Sequence, residues 1–301
     1  MRAVVTGSNG QLALSLRERA AARGIEVLFV ARPHVDFARL GTIGPALRAT
    51  PGDIIINAAA YTAVDQAEND EATATRVNAE AAGEVAAHAH AAGVPVIQIS
   101  TDYVFDGALD RPYLEDDAVA PINAYGRSKL AGEVAVAKST DNHVILRTSW
   151  IYSPFGRNFV RSMLALGLRR DVVSVVADQI GNPTYALDIA DGLLRVAHAL
   201  VHSPRDDRLR GVFHMPGGGE ASWADLAQAT FQAAESIGRA PVAVTRIASA
   251  EYPTPARRPL NSRLDGGKLK RVFGVALPQW PESLRLCVGR LLQDEVKGVG
   301  R

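Results

Sequence analysis

Apolar positions follow two rhythms along the first half of the chain. Residues Arg2–Thr6 and the stretches 25–31, 53–60, 94–100 and 144–148 are short, nearly continuous apolar runs, as in strands buried on both faces. Between them the spacing changes to three and four residues. Residues 11–23 place Leu12, Leu16 and Ala20 on one face and stop at Gly24; the alanine-rich 71–92 closes at Gly93; 122–138 follows the same period. Strands alternating with amphipathic helices predict βαβ units and an α/β doubly wound parallel sheet, with right-handed crossovers putting helices on both faces.

After Trp150 the rhythm loosens. A strand is predicted at 172–177, a helix at 188–199 and a charged loop at 203–210. Ser222 is a good N-cap for a helix over 223–237. Pro253, Pro255 and Pro259 punctuate an extended segment. A last helix over 280–292 puts Leu284, Val288 and Leu291 on one face, and the tail 296–301 is expected to fray.

Composition narrows the classes of partner. With 33 Lys+Arg against 32 Asp+Glu, the 301-residue chain carries a formal charge of +1, too little basic excess for a phosphate polymer, so nucleic acid is not an expected partner. A hydrophobic share of 47% argues against intrinsic disorder. Cys287 is the single cysteine, which excludes an internal disulfide and a cysteine-built zinc site. The nearest histidine pair, His88 and His90, would point in different directions on a helix. The opening MRAVVTG lacks the apolar stretch of a leader, and no run of about 18 apolar residues suggests a membrane span. A reduced, cytoplasmic setting without membrane attachment is therefore expected.

Chemistry first enters at Gly7-Ser8-Asn9-Gly10-Gln11-Leu12-Ala13, between a predicted strand and a predicted helix. One glycine takes the tight turn, a second lets backbone approach a pyrophosphate, and a small third residue permits close helix–strand packing. The spacing is G-x-x-G-x-x-A, and a helix N-terminus there offers free N–H groups and a favourable dipole to phosphate. This reads as a dinucleotide-binding domain over 1–150, completed by 172–200. A second, smaller α/β substrate lobe takes 151–171 and 201–301, interleaved with the first. The acidic residue expected after the second strand to bind a ribose hydroxyl is replaced by Arg32. A guanidinium suits a 2′-phosphate, favouring NADPH over NADH, although a solvated surface arginine fits the position as well.

Tyr125 and Lys129 stand four residues apart, on one face of the helix predicted there. A free phenol titrates near about 10, and a neighbouring ammonium, together with the positive charge of oxidised nicotinamide, would stabilise the phenolate and lower that pKa, giving a proton donor for a carbonyl that receives hydride. Ser100-Thr101-Asp102 follows the fourth strand, at the carboxyl edge where ligands bind in doubly wound sheets. A hydroxyl there can bond a substrate carbonyl, and Asp102 can accept from sugar hydroxyls; the same three residues also suit simple loop capping.

These segments, together with NAAA at 57–60 and YGRSKLAGE at 125–133, resemble the extended short-chain dehydrogenases. More narrowly, NAAAYTAVDQAE at 57–68, RTSWIY at 147–152, DQIGNPT at 178–184 and RRPLNSRLD at 257–265 resemble the dTDP-4-dehydrorhamnose reductase family, in order along the whole chain. The resemblance implies a Rossmann-like fold and reduction of the 4-keto group of dTDP-4-dehydro-L-rhamnose by NADPH, with NADH also usable. It implies Tyr125 as proton donor, Lys129 as its pKa-lowering and ribose-binding partner, and Thr101 as the hydroxyl that positions the keto group. Asp102 and Trp150 would contact the deoxysugar. Gly7 and Gly10, Gln11 and Leu12 would hold the pyrophosphate. Asp36 and Phe37 would line the adenine pocket, Ala59, Ala60 and Tyr61 would lie along the cofactor, and Arg258 and Arg263 would make structural or diphosphate contacts.

The position where some relatives carry a metal-binding glutamate is Ser15, so neither that metal nor that dimer is expected, and a monomer or weak homodimer is. Two other readings remain at this point: a 4-ketoreductase or epimerase for another nucleotide sugar, and a non-catalytic cofactor-binding subunit.

Overall fold

The computed structural model describes residues 1–298. Its centre is a six-stranded, all-parallel sheet. Strand β1 (Arg2–Thr6) pairs with β2 (Glu26–Val30) on one side and with β3 (Ile54–Asn57) on the other. Beyond β3 come β4 (Val96–Thr101), β5 (His143–Thr148) and an edge strand, Gly211–His214. The chain reverses direction across the sheet between β1 and β3, and a crevice forms beyond the carboxyl ends at such a reversal.

Alternation along β1 explains the two layers. Ala3 and Val5 face helices α1 (Gln11–Ala22) and Ala186–His202, packing with Leu16, Ile189 and Leu193. Val4 points the other way, onto Val85 and Ala86 of the helix Ala81–Ala92 and Leu47 of Ile43–Arg48. The predicted strand 53–60 stops early at Asn57. Beyond that point Thr6 Oγ1 donates to Asn57 Oδ1 at 2.5 Å and accepts from Ala59 N–H at 3.0 Å, drawing 58–60 out of the ladder.

The predicted helix 71–92 is one rod with a widened turn. Glu71–Thr75 and Ala81–Ala92 are α-helical, while Arg76–Glu80 is π-helical. The bulge brings the Asn78 carbonyl against Gly132 of the helix Ala124–Ser139, where an added Cβ would lie 2.0 Å from that oxygen.

Two strands change sides relative to the expected division at 172–200 and 201–301. Val172–Val176 does not join the main sheet; it pairs with Ala243–Ile247 over Phe231 and Ala227. Its alternating exposure, with only one face covered, suits a small two-stranded ribbon better than a central strand. Gly211–His214, placed with the substrate lobe, is instead the edge strand beside β5. The helix Ala186–His202 packs on α1. The last helix runs Trp280–Gly298, and Leu284, Val288 and Leu291 enter a core with Leu226 and the buried Cys287. It thereby includes the first three residues of the expected frayed tail; 299–301 lie outside the described residues.

Candidate active site

A cleft of about 590 Å³ opens beyond the carboxyl ends of β1, β3, β4 and β5. A larger hollow of about 750 Å³, between Ile43–Arg48 and Ala81–Ala92, holds none of the expected site residues. Gly10, Gln11, Leu12, Ala59 and Ala60 line one end of the cleft; Thr101, Asp102, Tyr125, Lys129 and Trp150 line the other. Gly7, Arg32, Asp36, Phe37 and Tyr61 lie outside that lining.

Local sequence explains the first end. Gly7 adopts φ +80°, a left-handed conformation that strains any residue with a Cβ, and its N–H donates to Val30 O at 2.9 Å. Gly10 is the N-cap of α1 and supplies no side-chain cap, and a Cβ built on it would meet nothing within 4 Å. The uncapped N-terminus of α1 lies at the cleft through Gly10, Gln11 and Leu12, the arrangement that receives an anion. Ser153 Oγ donates to Gln11 Oε1 at 2.8 Å, and a Cβ added at Gly156 would meet Gln11 Cγ at 3.5 Å, so the loop after Tyr152 leans over this turn. That loop also brings Arg157 into the cleft lining. Arg32 extends into solvent just past β2, with Nη2 3.2 Å from Asp36 Oδ1; Phe37 packs beside it on the core. Tyr61 is held by its backbone: its N–H donates to Asn78 Oδ1 at 2.8 Å and its carbonyl accepts from Asn78 Nδ2 at 3.1 Å.

At the other end, Asn123 Oδ1 accepts from Gly126 N–H at 2.8 Å and caps the helix Ala124–Ser139, which sets Tyr125 in its first turn and Lys129 one turn on. Beneath them lies a buried ion pair, Arg147 with Glu133, at 2.7 Å and 2.9 Å; Glu133 also accepts from Ser100 Oγ at 2.5 Å. One carboxylate thus ties the helix Ala124–Ser139 to the ends of β4 and β5.

The electrostatics differ from the expectation for Tyr125. Burial pushes its phenol well above its ordinary pKa, the nearby Asp102 pushes the same way, and a hydrogen bond with Thr101 opposes them. Lys129 is not among these influences. Its buried ammonium donates to Ile99 O at 2.6 Å, and burial brings its own pKa down to about 8 against the pull of Glu133. The helical spacing places the two on one face, but the ammonium spends itself on a main-chain carbonyl. Thr101 Oγ1 donates to Asp102 Oδ1 at 2.9 Å, and burial raises the Asp102 carboxyl to about 7.

Trp150 is the one non-glycine residue among those described with positive φ, at +47°. Such strain persists only where surroundings enforce it. Here Trp223 stacks on one indole face at 3.6 Å, and a Cβ on Gly181 would lie 2.5 Å from Trp150 Cε2. One face of the indole is therefore already covered. Trp223 lines the cleft too, and nothing in its spacing signalled this; only the Ser222 cap before it was readable. Arg258 and Arg263 are committed to structural contacts. Arg258 grips Asp65 at 2.9 Å and 3.1 Å, and Arg263 reaches Glu220 at 3.1 Å and Asn261 Oδ1 at 2.9 Å.

A phosphate turn on a doubly wound sheet, facing a Thr–Tyr–Lys set across one cleft, defines a reductase of the short-chain dehydrogenase class. The sequence model of the family described as RmlD substrate binding domain matches residues 1–293, and the chain belongs to that family. It is 50% identical over 294 residues to a dTDP-4-dehydrorhamnose reductase of Sinorhizobium fredii, covering 98% of this chain and 99% of that one. A dTDP-4-dehydrorhamnose reductase of Burkholderia thailandensis is 43% identical over 302 residues, covering 98% and 100%. The crystal structure of dTDP-4-dehydrorhamnose reductase from Bacillus anthracis in complex with NADP superposes with a TM-score of 0.86 at 35% identity, covering 95% of this chain and 98% of that one.

Proposed function

We propose that this protein reduces the 4-keto group of dTDP-4-dehydro-L-rhamnose to dTDP-L-rhamnose with NADPH, and with NADH as a second reductant. The observation that carries the reading is the convergence of Thr101, Tyr125 and Lys129 on one cleft with the uncapped N-terminus of α1. The open space at Gly10 and the left-handed Gly7 fit a dinucleotide diphosphate. Gly7, Gly10, Gln11 and Leu12 would hold that diphosphate, Ala59, Ala60 and Tyr61 the stretch beyond it, Lys129 a ribose, and Asp36 and Phe37 the adenine. Arg32 would meet a 2′-phosphate by paired charged hydrogen bonds. When bound, the reduced nicotinamide supplies hydride.

The chain's own residues supply the rest. Thr101 positions the keto oxygen, and Tyr125 gives it a proton. Burial keeps the phenol protonated until hydride transfer turns the keto oxygen into an alkoxide, a strong enough base to take that proton. Asp102 accepts from sugar hydroxyls. Trp150, where it lines the cleft, offers apolar indole surface to the carbon side of a 6-deoxyhexose. No described helix is long and apolar enough to cross a membrane. A cytoplasmic monomer or weak homodimer accords with the reading.

Purified protein is mixed with dTDP-4-dehydro-L-rhamnose and NADPH, and nicotinamide absorbance is followed. Wild type consumes NADPH. Tyr125→Phe loses about 10³-fold or more in turnover, within the range of a general acid, while still binding NADPH by fluorescence. Near-wild-type turnover by that variant overturns the mechanism.

A further inference from the structure

We infer that Arg157 is the side-chain cation for the dinucleotide diphosphate, acting beside the backbone N–H groups at the start of α1. The inference rests on the reading of that turn as the diphosphate site and adds a side chain to a site otherwise built from backbone.

Residues 153–158 form a loop that is knitted together and tied to its surroundings. Ser153 Oγ accepts from Phe155 N–H at 3.1 Å, Asn158 Nδ2 donates to Ser153 O at 2.8 Å, and Arg161 Nη1 donates to Pro154 O at 2.7 Å. Asn158 Oδ1 also accepts from Arg161 N–H at 3.2 Å, capping the helix Phe159–Gly167. Arg290 lies over the Phe155 ring, 4.9 Å from its centroid, and is itself held by Glu18 of α1 at 2.8 Å. Gly156, at φ +61°, takes the left-handed turn that brings the chain back against Gln11. Arg157 is the one polar side chain of this loop without a hydrogen bond or ion pair to the described residues, and it lines the cleft.

The charges around the cleft leave that place to it. Asp102, Lys129 and Arg157 are the charged residues of the lining. Asp102 is an acid, and the Lys129 ammonium is buried on Ile99 O. Arg258 and Arg263, the other cations considered for a diphosphate, are held by Asp65 and Glu220. Arg32 stands beyond β2, outside the lining. The neighbour of Arg157 fixes which end it serves: a Cβ at Gly156 would lie 3.5 Å from Cγ of Gln11, the first residue of α1. A guanidinium offers paired charged hydrogen bonds to phosphate oxygens and adds to the positive end of the helix dipole. Because the loop backbone is already fixed, binding has only the arginine's own rotamers to order.

Arg157→Ala removes a side chain that holds nothing else in place, so the unliganded variant is expected to melt within about 1 °C of wild type. NADPH is then titrated by fluorescence with no sugar present. Its Kd rises by about tenfold or more in Arg157→Ala, and by less in Arg157→Lys, which keeps the charge and loses the fork. The wild-type Kd climbs more steeply with added NaCl than that of the alanine variant, because one charged contact has gone. Adenosine 2′-monophosphate, which carries no diphosphate, binds wild type and Arg157→Ala alike. dTDP alone is the remaining probe. A variant that loses affinity for dTDP and keeps it for NADPH assigns Arg157 to the sugar nucleotide and overturns the inference. Unchanged NADPH affinity, or equal losses for NADPH and adenosine 2′-monophosphate, overturns it as well. Wild type that binds NADPH but does not oxidise it with dTDP-4-dehydro-L-rhamnose overturns the proposed reaction instead, a result on which the sugar-free titration does not depend.

Discussion

The helix that carries Tyr125 and Lys129 meets its neighbour backbone to backbone at Gly132, and a single methyl there tests whether that contact sets the site. A Cβ at Gly132 would lie 2.0 Å from the Asn78 carbonyl oxygen, whereas ordinary contact begins at 3.4 Å, so well over 1 Å must be found by moving main chain. Overpacking of this kind costs about 1–3 kcal/mol, sometimes more, and alanine's better helix propensity returns just under about 1 kcal/mol. A main-chain clash this close sits at the upper end, so a net loss of about 2 kcal/mol is expected for Gly132→Ala, or a Tm drop of about 3 °C for a chain this long. Activity should fall further than stability suggests. Asn78 also donates to Ser128 Oγ at 2.9 Å, so shifting this interface moves the turn between Tyr125 and Lys129, and misplacement by about 1 Å can cost about 10²-fold in rate. Gly83→Ala is the control: its Cβ would meet only the Ala135 side chain, at 3.3 Å, and should change Tm little. Thermal melts and kcat are measured for both. A Gly132→Ala protein that melts within about 1 °C of wild type and keeps its turnover refutes the argument.

Arg32→Ala should lower the NADPH-over-NADH ratio of kcat/KM by about tenfold, the worth of one charge-assisted phosphate contact; an unchanged ratio returns Arg32 to the role of a solvated arginine. His214 is fully buried, and burial, with Arg147 adding to it, pushes its pKa down to about 3. The unfolded chain binds a proton there below about 6.5 that the fold refuses, so stability drops as pH falls through that window, by about 2 kcal/mol at pH 5. Urea midpoints near pH 7.5 and pH 5 should show a smaller acid loss in His214→Gln than in wild type, and equal losses would remove His214 as the cause.

Much of this architecture is local, and local pattern is what a sequence displays. The apolar runs of β1, β3, β4 and β5 mark strands buried on both faces because side chains there alternate between two covered layers, whereas β2, at the sheet edge, buries only Val30; Gly24 and Gly93 end helices in left-handed turns. The phosphate turn and the Tyr125–Lys129 face were equally legible, since each depends on residues within one turn or one loop. The strand at Val172–Val176 was recognised, but its partner was not: apolar pattern says that a face is covered and is silent on which strand, some 70 positions away, pairs with it. The π-helical turn at Arg76–Glu80 left no mark in an alanine-rich stretch that reads as uniform helix.

The sequence alone determined the class of fold and marked the glycine turn and the Tyr125–Lys129 face as candidates, because continuous apolar runs, a 3.6-residue period and the conformational reach of glycine are local signals. Only the tertiary structure decided how those side chains are tuned. It turned Lys129 toward Ile99 O, enclosed Tyr125 and Asp102 enough to raise both, stacked Trp223 on Trp150, and engaged Arg258 with Asp65 across 193 positions. A charge's pKa and a ring's free face depend on what is excluded from contact with them, and exclusion is settled only when distant segments pack.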